Sequence, residues 1–214
     1  MSTKCFNGTT HISVVLDRSG SMEHLTDDTI GGFNTWLRSV KAAAKGKPNT
    51  FLTLHLFDDQ HEYPYLDAPL SKVKALTDDV YFARGSTALR DAFASEIFRL
   101  DCIVGKNDRA LVLVITDGYE NASREVTHAQ LRRAIQKHEK RPNWTFQYIG
   151  ANQDAFAVGQ DMGMSANMVT AQADAAGVAC TYRAISANTA DFVADDRVMA
   201  APLTQADYDD ALAS

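Results

Sequence analysis

The sequence predicts an α/β protein of three layers, in which a doubly wound, mostly parallel sheet carries helices on both faces. Short apolar segments rich in Val, Ile and Leu end abruptly in polar turns, as buried strands do. Between them lie segments with apolar residues every three or four positions, which is the spacing of one helix face. This alternation implies βαβ units, and hence parallel strands joined by right-handed crossovers.

The first third of the chain supplies three predicted strands and one helix. Residues 11–16 form an apolar strand that stops at a polar turn, and residues 51–57 form the second strand. Because Pro64 cannot donate to a ladder, a third strand over residues 60–66 belongs at a sheet edge. The helix between the first two strands ends at Gly46 and Pro48, and its apolar face consists of Ile30, Phe33, Leu37, Val40 and Ala44.

The middle of the chain continues the alternation. A short helical turn is expected near residues 70–76, and residues 83–87 open the second main helix. Residues 110–116 are a continuous apolar strand, typical of the middle of a parallel sheet, and end at the polar turn Asp117-Gly118. The buried face of the second helix consists of Leu89, Phe93, Ile97 and Leu100.

The next helix begins at Thr127, because Thr127 and Gln130 have the spacing of a capping box. The remaining predictions are a strand over 144–149, a helix over 153–162, a strand over 167–170 and a helix over 175–189. Residues 186–214 carry six aspartates and one arginine. We therefore expect one domain over residues 1–190 and an acidic tail over residues 191–214 that is solvated or loosely packed.

Composition excludes several classes of protein. The 214 residues carry a net charge of −6, which favours no nucleic-acid partner. The longest apolar run, residues 110–115, is far shorter than a membrane span of about 18 residues, so no membrane association is expected. The three cysteines are widely spaced and form no zinc-binding pattern. Since the N-terminus lacks a secretion-signal pattern, the expected compartment is the cytoplasm.

Three segments place oxygen-bearing side chains at predicted strand ends or helix starts. Asp17, Ser19 and Ser21 follow the first strand, Thr87 opens the second main helix, and Asp117 follows the central strand. Ligands of open parallel sheets bind beyond the carboxyl ends of the strands. Carboxylates and hydroxyls without Cys or His suit a hard cation, so Mg²⁺ is expected here and Mn²⁺ is the alternative.

These residues resemble the three parts of the metal-ion-dependent adhesion site (MIDAS) of von Willebrand factor A (vWA) domains. The parts are Asp17-Arg18-Ser19-Gly20-Ser21, Thr87 within Gly85-Ser86-Thr87-Ala88, and Thr116-Asp117-Gly118. The resemblance covers about residues 10–190 and implies a Rossmann-like sheet with one antiparallel edge strand, third in sequence. Its cytoplasmic setting makes the chain more similar to intracellular bacterial members than to the extracellular adhesion members.

The resemblance also implies roles for the five residues. Ser19 and Ser21 would bind the metal through their hydroxyls, and Thr87 would bind directly or through water. Asp17 and Asp117 would act mostly through water or by accepting hydrogen bonds from the serines. A partner protein would complete the coordination with an Asp or Glu carboxylate. Intracellular members often act as adaptor or assembly subunits beside ATPase machines or in stress responses, which makes such a complex the expected partner.

Each part also has an ordinary structural interpretation, as a helix cap or a turn, and only the joint occurrence favours a metal site. Glu120 and Asn121 follow the Asp117 turn and are candidates for its surroundings. The chain lacks a phosphate-binding glycine loop and a nucleophile elbow, so no enzyme activity is expected. Two alternatives stay open: a metal-dependent phosphatase or hydrolase at the same strand ends, and a scaffold whose metal site is vestigial.

Overall fold

A computed structural model describes residues 7–195 and 202–213. Within these ranges the chain forms six strands and six α-helices, with 3₁₀ turns at Gly20–Leu25 and Leu70–Lys72. The strands are β1 (Thr10–Asp17), β2 (Thr50–Phe57), β3 (His61–Pro69), β4 (Arg109–Thr116), β5 (Trp144–Ala151) and β6 (Met168–Ala171). The helices are α1 (Thr26–Ala43), α2 (Leu89–Ile103), α3 (His128–Glu139), α4 (Ala155–Met162), α5 (Ala175–Ala194) and α6 (Gln205–Ala213).

The strands form one sheet in the order β3-β2-β1-β4-β5-β6. Every neighbouring pair is parallel except β2 and β3, which run antiparallel. The expected fold class, a mostly parallel Rossmann-like sheet with one antiparallel edge strand, is confirmed. The chain moves outward from β1 to β2 in one direction and to β4 in the other. The crevice between the ends of β1 and β4 is therefore the topological switch point where ligands of such sheets bind.

Helices cover both faces of the sheet with separate apolar cores. On one face α1 and α5 pack together, and Phe33, Trp36 and Phe192 are fully buried there. On the other face α2, α3 and α4 bury Phe93 and Phe146 among others. Strand β4 lies between the two cores and is buried along its whole length, as its continuous apolar sequence predicts.

Side-chain caps set the start of two helices. The capping box at Thr127 and Gln130 is present, and α3 begins where it was expected. Helix α4 starts at Ala155 rather than at residue 153, since Asp154 is its N-cap and accepts a hydrogen bond from Ala157 N. Only Leu70–Lys72 is helical within residues 70–76. No helix within the described ranges is long and apolar enough to cross a membrane.

The C-terminal segment packs against the domain where it is described. Helix α5 runs past the expected boundary at residue 190 and ends at Ala194. Leu203 and Tyr208 are buried, and the amide of Gln205 pairs with both the N–H and the C=O of Thr170 on the free edge of β6. Residues 202–213 therefore contact the domain through two buried side chains, although most of the segment is exposed. Residues 196–201, which include two of the charged residues counted above, lie outside the described residues.

Candidate metal centre

The fold brings all five predicted site residues to the carboxyl ends of β1 and β4. Asp17 is the last residue of β1, and Asp117 directly follows β4. Ser21 Oγ donates to Asp117 Oδ1 at 2.5 Å and lies 3.1 Å from Ser19 Oγ. Thr87 lies two residues before α2, and its hydroxyl lies beside Gly118, which also adjoins Asp17. Ser21 is exposed whereas the other four are buried, so the cluster opens to the surface at Ser21.

Asp17 is fully buried and held at both carboxylate oxygens. Oδ1 accepts a hydrogen bond from Ser19 N at 2.6 Å, and Oδ2 accepts one from the hydroxyl of Thr116. Burial raises the pKa of Asp17 to about 6, against these hydrogen bonds, and the nearby charge of Asp117 adds to the increase. The ionised carboxylate is thus well oriented but short of positive charge.

The two carboxylate oxygens of Asp117 differ in their hydrogen bonding. Its Oδ1 accepts the Ser21 hydroxyl, whereas Oδ2 is buried with no hydrogen-bond partner among the described residues. Burial raises the pKa of Asp117, while the bond from Ser21 and the charge of His24 lower it. A buried carboxylate oxygen left unpaired is costly, and a bound cation would remove that cost.

The backbone of Thr87 is fixed by the loop that follows β4. Thr87 N donates to Asn121 Oδ1 at 2.8 Å, and its carbonyl accepts from Asn121 N at 3.0 Å and Ala122 N at 3.2 Å. The hydroxyl of Thr87 faces Gly118 so closely that no side chain fits between them. Asn121, a sequence candidate for the surroundings of the site, therefore positions Thr87.

Glu120 has a similar holding role at the start of α2. Its carboxylate accepts from Arg90 N at 2.8 Å and from Ser123 N at 2.8 Å. Asp91, which sequence reasoning missed, holds the next part of the loop by accepting from the backbone N–H of residues 124–126. An acidic residue in the first turn of a helix is common, so the sequence contains no signal that marks Asp91 as a loop anchor.

Comparison by sequence finds no matching family model and no matching curated protein. Comparison of structures matches vWA proteins, including the three that follow. A von Willebrand factor type A protein from Catenulispora acidiphila is 17% identical to this chain, with a TM-score of 0.56. The matched region covers 86% of this chain and 43% of the Catenulispora protein. The VWA domain of SpRpn10 is 13% identical, with a TM-score of 0.58. The matched region covers 83% of this chain and 95% of the SpRpn10 domain. The ArnB paralog VWA2 from Sulfolobus acidocaldarius is 15% identical, with a TM-score of 0.50. The matched region covers 73% of this chain and 39% of the Sulfolobus protein.

The fold is that of a vWA domain. At these identities the likeness concerns the fold alone. This chain spans less than half the length of the Catenulispora and Sulfolobus proteins, and almost the whole of the SpRpn10 domain. The fold places the candidate residues at the sheet edge described above.

The positive charges nearest in sequence to the site of this vWA fold are directed elsewhere. Arg18 lies between Asp17 and Ser19, but its guanidinium pairs with Asp58 and Glu62. Arg84 pairs with the same two acids. In the part of the chain that the structure describes, no Lys, Arg or His forms an ion pair with Asp17 or Asp117. Within the described ranges, the two site carboxylates therefore have no ion-pair partner, and His24 acts on Asp117 without forming an ion pair.

The donor set fits a hard cation. It consists of two carboxylates and three hydroxyls, all oxygen donors, and Mg²⁺ prefers oxygen ligands while keeping some of its water. No group of three or more His, Cys, Asp or Glu side chains within the described ranges could hold a metal ion. A metal at the candidate centre would therefore depend on Ser19, Ser21 and Thr87 as much as on the two acids.

Proposed function

We propose that this vWA domain is a non-enzymatic protein-binding module that uses Mg²⁺, or Mn²⁺ as the alternative, to capture an Asp or Glu of a partner protein. The observation that carries the proposal is Asp117 Oδ2, a buried carboxylate oxygen that has no hydrogen-bond partner in the part of the chain that the structure describes. The other oxygen of the same carboxylate accepts from the Ser21 hydroxyl, which lies 3.1 Å from the Ser19 hydroxyl. An unpaired buried carboxylate oxygen is costly in a folded protein unless something that the chain does not supply completes it.

The site residues would contribute hydroxyl and carboxylate oxygens to the ion. Ser19 and Ser21 offer hydroxyl oxygens 3.1 Å apart, and of the two only Ser21 is exposed. Asp17, held by Ser19 N and Thr116, and Asp117, held by Ser21, provide two negative charges that match a divalent ion. When bound, Mg²⁺ would supply a positive charge and coordination positions that side chains of this domain leave open. The exposure of Ser21 indicates where a partner carboxylate would approach.

The partner that this chemistry selects is a protein with an accessible acidic residue. Neither nucleic acid nor a membrane fits a chain with net charge −6 whose site itself carries two carboxylates. We propose a cytoplasmic setting, with the domain acting as an adaptor or assembly subunit. A component of an ATPase-associated or stress-response complex is the partner class to examine first.

Thermal unfolding in EDTA and in saturating Mg²⁺ or Mn²⁺ tests the metal site. An ion that binds only the native state, at about 100 times its dissociation constant, adds about 2.7 kcal/mol, or roughly 5 to 10 °C for a domain of this size. We expect this shift in the wild type and its loss in Asp17→Ala. Asp108→Asn is the matched control, because Asp108 is a carboxylate that holds backbone N–H groups at the opposite end of the sheet. This control should keep the shift.

Capture of partners from a lysate, with and without EDTA, tests the binding function. We expect retention that requires the metal and is lost in Asp17→Ala. Retention that is indifferent to EDTA and to Asp17→Ala would support the scaffold alternative and contradict the proposal. Turnover of a generic phosphoester that disappears in Asp17→Ala would instead support the phosphatase or hydrolase alternative.

A further inference from the structure

We infer that Asp58 is a positioning residue of the candidate metal centre, which joins the loop of Ser19 and Ser21 to the loop of Thr87. The inference rests on the proposed function, since it concerns the affinity of the same site for its ion. Asp58 directly follows β2 and is fully buried. It has no place in the three-part motif, and in sequence it looks only like part of a tight turn between two strands.

The side chain of Asp58 holds one arginine from each of the two loops. Its Oδ2 accepts from Arg18 Nε at 3.0 Å and from Arg84 Nε at 2.6 Å. Its Oδ1 accepts from Gln60 N at 2.6 Å, which fixes the carboxylate against its own turn. Charge-assisted hydrogen bonds of this kind are about twice as strong as neutral ones.

The backbones of the two loops meet at the same place. Arg84 N donates to Arg18 O at 2.8 Å, and Gly20 N donates to Gly85 O at 3.1 Å. The carbonyl of Asp58 also accepts from Ala88 N at 2.9 Å. Arg18 and Gly20 are the residues adjacent to Ser19, and Ala88 adjoins Thr87. A displacement of Asp58 would therefore act on both sets of hydroxyl donors at once.

The charges of this cluster balance without the metal centre. Arg18 and Arg84 both pair with Glu62 as well as with Asp58, which makes two positive and two negative side chains. The ring of Phe82 lies 5.7 Å from the Arg18 guanidinium and 5.4 Å from that of Arg84. This arrangement keeps both guanidinium groups paired outside the centre, so that Asp17 and Asp117 retain their charge for the ion.

Titration of the wild type and variants with Mg²⁺ by isothermal titration calorimetry tests the inference. Arg84→Gln is the main variant, because Arg84 is one-third exposed and its removal leaves Asp58 paired with Arg18. Asp58→Asn is the second, since it removes the negative charge that pairs with both arginines, and its NH₂ group cannot accept from Gln60 N while its oxygen accepts from the arginines. Loss of a group that orients a metal ligand typically weakens metal binding 10- to 100-fold, and we expect at least a 10-fold loss for each variant. The double variant should be weakened less than the product of the two single effects.

Arg141→Gln is the matched control. Arg141 is equally exposed and pairs with Asp101 through a 2.6 Å contact, but neither residue touches a loop of the centre. It should bind Mg²⁺ as the wild type does. Binding by folded Arg84→Gln within twofold of this control would overturn the inference, whatever happens to Asp58→Asn.

Hydrogen exchange of residues 82–88, measured in EDTA, separates this inference from the proposed function. In Arg84→Gln we expect faster exchange of these amides and unchanged exchange of β4. If the wild type itself shows no Mg²⁺ binding, the proposed function fails and the positioning role falls with it, even where the exchange result confirms the link between the loops. If the wild type binds Mg²⁺ and Arg84→Gln binds it within twofold of the Arg141→Gln control, only the role of Asp58 is overturned.

Discussion

Gly118 and Thr87 approach each other so closely that a methyl group on Gly118 would lie 2.6 Å from Thr87 Oγ1. The same methyl group would lie 3.3 Å from Asp17 Oδ2. The three segments of the candidate centre thus converge on the backbone of Gly118. The glycine at this position is required by space, and not by an unusual backbone angle, since its φ is not in the left-handed region.

Substitution Gly118→Ala should therefore weaken metal binding by displacing Thr87. We expect the stabilisation by Mg²⁺ to be largely lost, with a decrease of about 1 to 3 kcal/mol in the unfolding free energy in EDTA from overpacking. Thermal unfolding with and without Mg²⁺ measures both effects. Gly31→Ala is the control, because a methyl group there would touch nothing within 4 Å. It should stabilise α1 by up to about 1 kcal/mol and leave the metal response intact.

Asp17→Asn should stabilise the metal-free protein while abolishing its response to metal. Its oxygen can accept from Ser19 N, and its amide can donate to Thr116 Oγ1, whose own proton can then go to Gly118 O at 3.2 Å. The ionised carboxylate, by contrast, has a pKa of about 6 when folded and 3.8 as its ordinary value. That difference corresponds to a cost of about 3 kcal/mol at pH 7, which the amide avoids.

The stability of the wild type relative to Asp17→Asn depends on pH because the pKa of Asp17 is raised in the folded state. The cost of ionising Asp17 is absent below about pH 4, grows between pH 4 and 6, and is complete above pH 6. In EDTA the advantage of Asp17→Asn over the wild type should therefore grow across this window and then stay constant. A variant less stable than the wild type at pH 7 in EDTA would contradict this account of the site.

His55 should make the protein less stable as the pH falls below neutrality. It is fully buried, stacks on Tyr63 at 4.3 Å, and shares a 2.9 Å hydrogen bond with His61. Burial, together with the charges of His61, Arg99 and Arg18, lowers its pKa to about 3. Below pH 6.5 the unfolded chain binds a proton that folded His55 does not, so stability falls by up to about 1.4 kcal/mol per pH unit.

Denaturant unfolding of His55→Gln between pH 7 and 4 measures this contribution. Glutamine has no proton to take up in this range, so the curve of stability against pH should be flatter than that of the wild type. His24→Gln is the control, because His24 is exposed. Equal slopes for His55→Gln and the wild type would show that His55 does not stay neutral in the fold.

Arg109→Met should destabilise the domain without affecting the metal site. Arg109 is buried at the start of β4, where its guanidinium donates to Phe192 O at 2.7 Å and to Asp195 O at 2.8 Å, at the end of α5. It also donates to Thr10 Oγ1 at 3.0 Å. Methionine keeps the shape but leaves these acceptors unpaired, which should cost about 2 to 4 kcal/mol.

Denaturant unfolding checks the size of this loss, with Arg133→Met on the exposed side of α3 as the control. The control should lie within about 0.5 kcal/mol of the wild type. The Mg²⁺ response of Arg109→Met should equal that of the wild type, because Arg109 lies at the opposite end of β4 from Asp117. A decrease in the unfolding free energy as small as that of the control would show that the hydrogen bonds from Arg109 to the end of α5 contribute little to stability.

Patterns along the chain determined the fold class. The apolar runs of β1, β2, β4 and β5 and the helical faces of α1 and α2 depend on local periodicity, which sequence displays directly. The five candidate site residues were also readable, because each lies at a strand end or a helix start that such patterns locate. The structure places those five side chains together, and the metal itself stays a proposal.

Tertiary structure alone decided what surrounds those residues. Asp58, Asp91 and Arg109 act across 26 to 99 positions of sequence, and nothing local distinguishes them from ordinary turn or surface residues. The packing of residues 202–213 was equally invisible, because the acidic composition of this segment hides the burial of Leu203 and Tyr208. A periodic pattern reports which face of an element is buried, but the partner of a polar group depends on where distant segments meet in the fold.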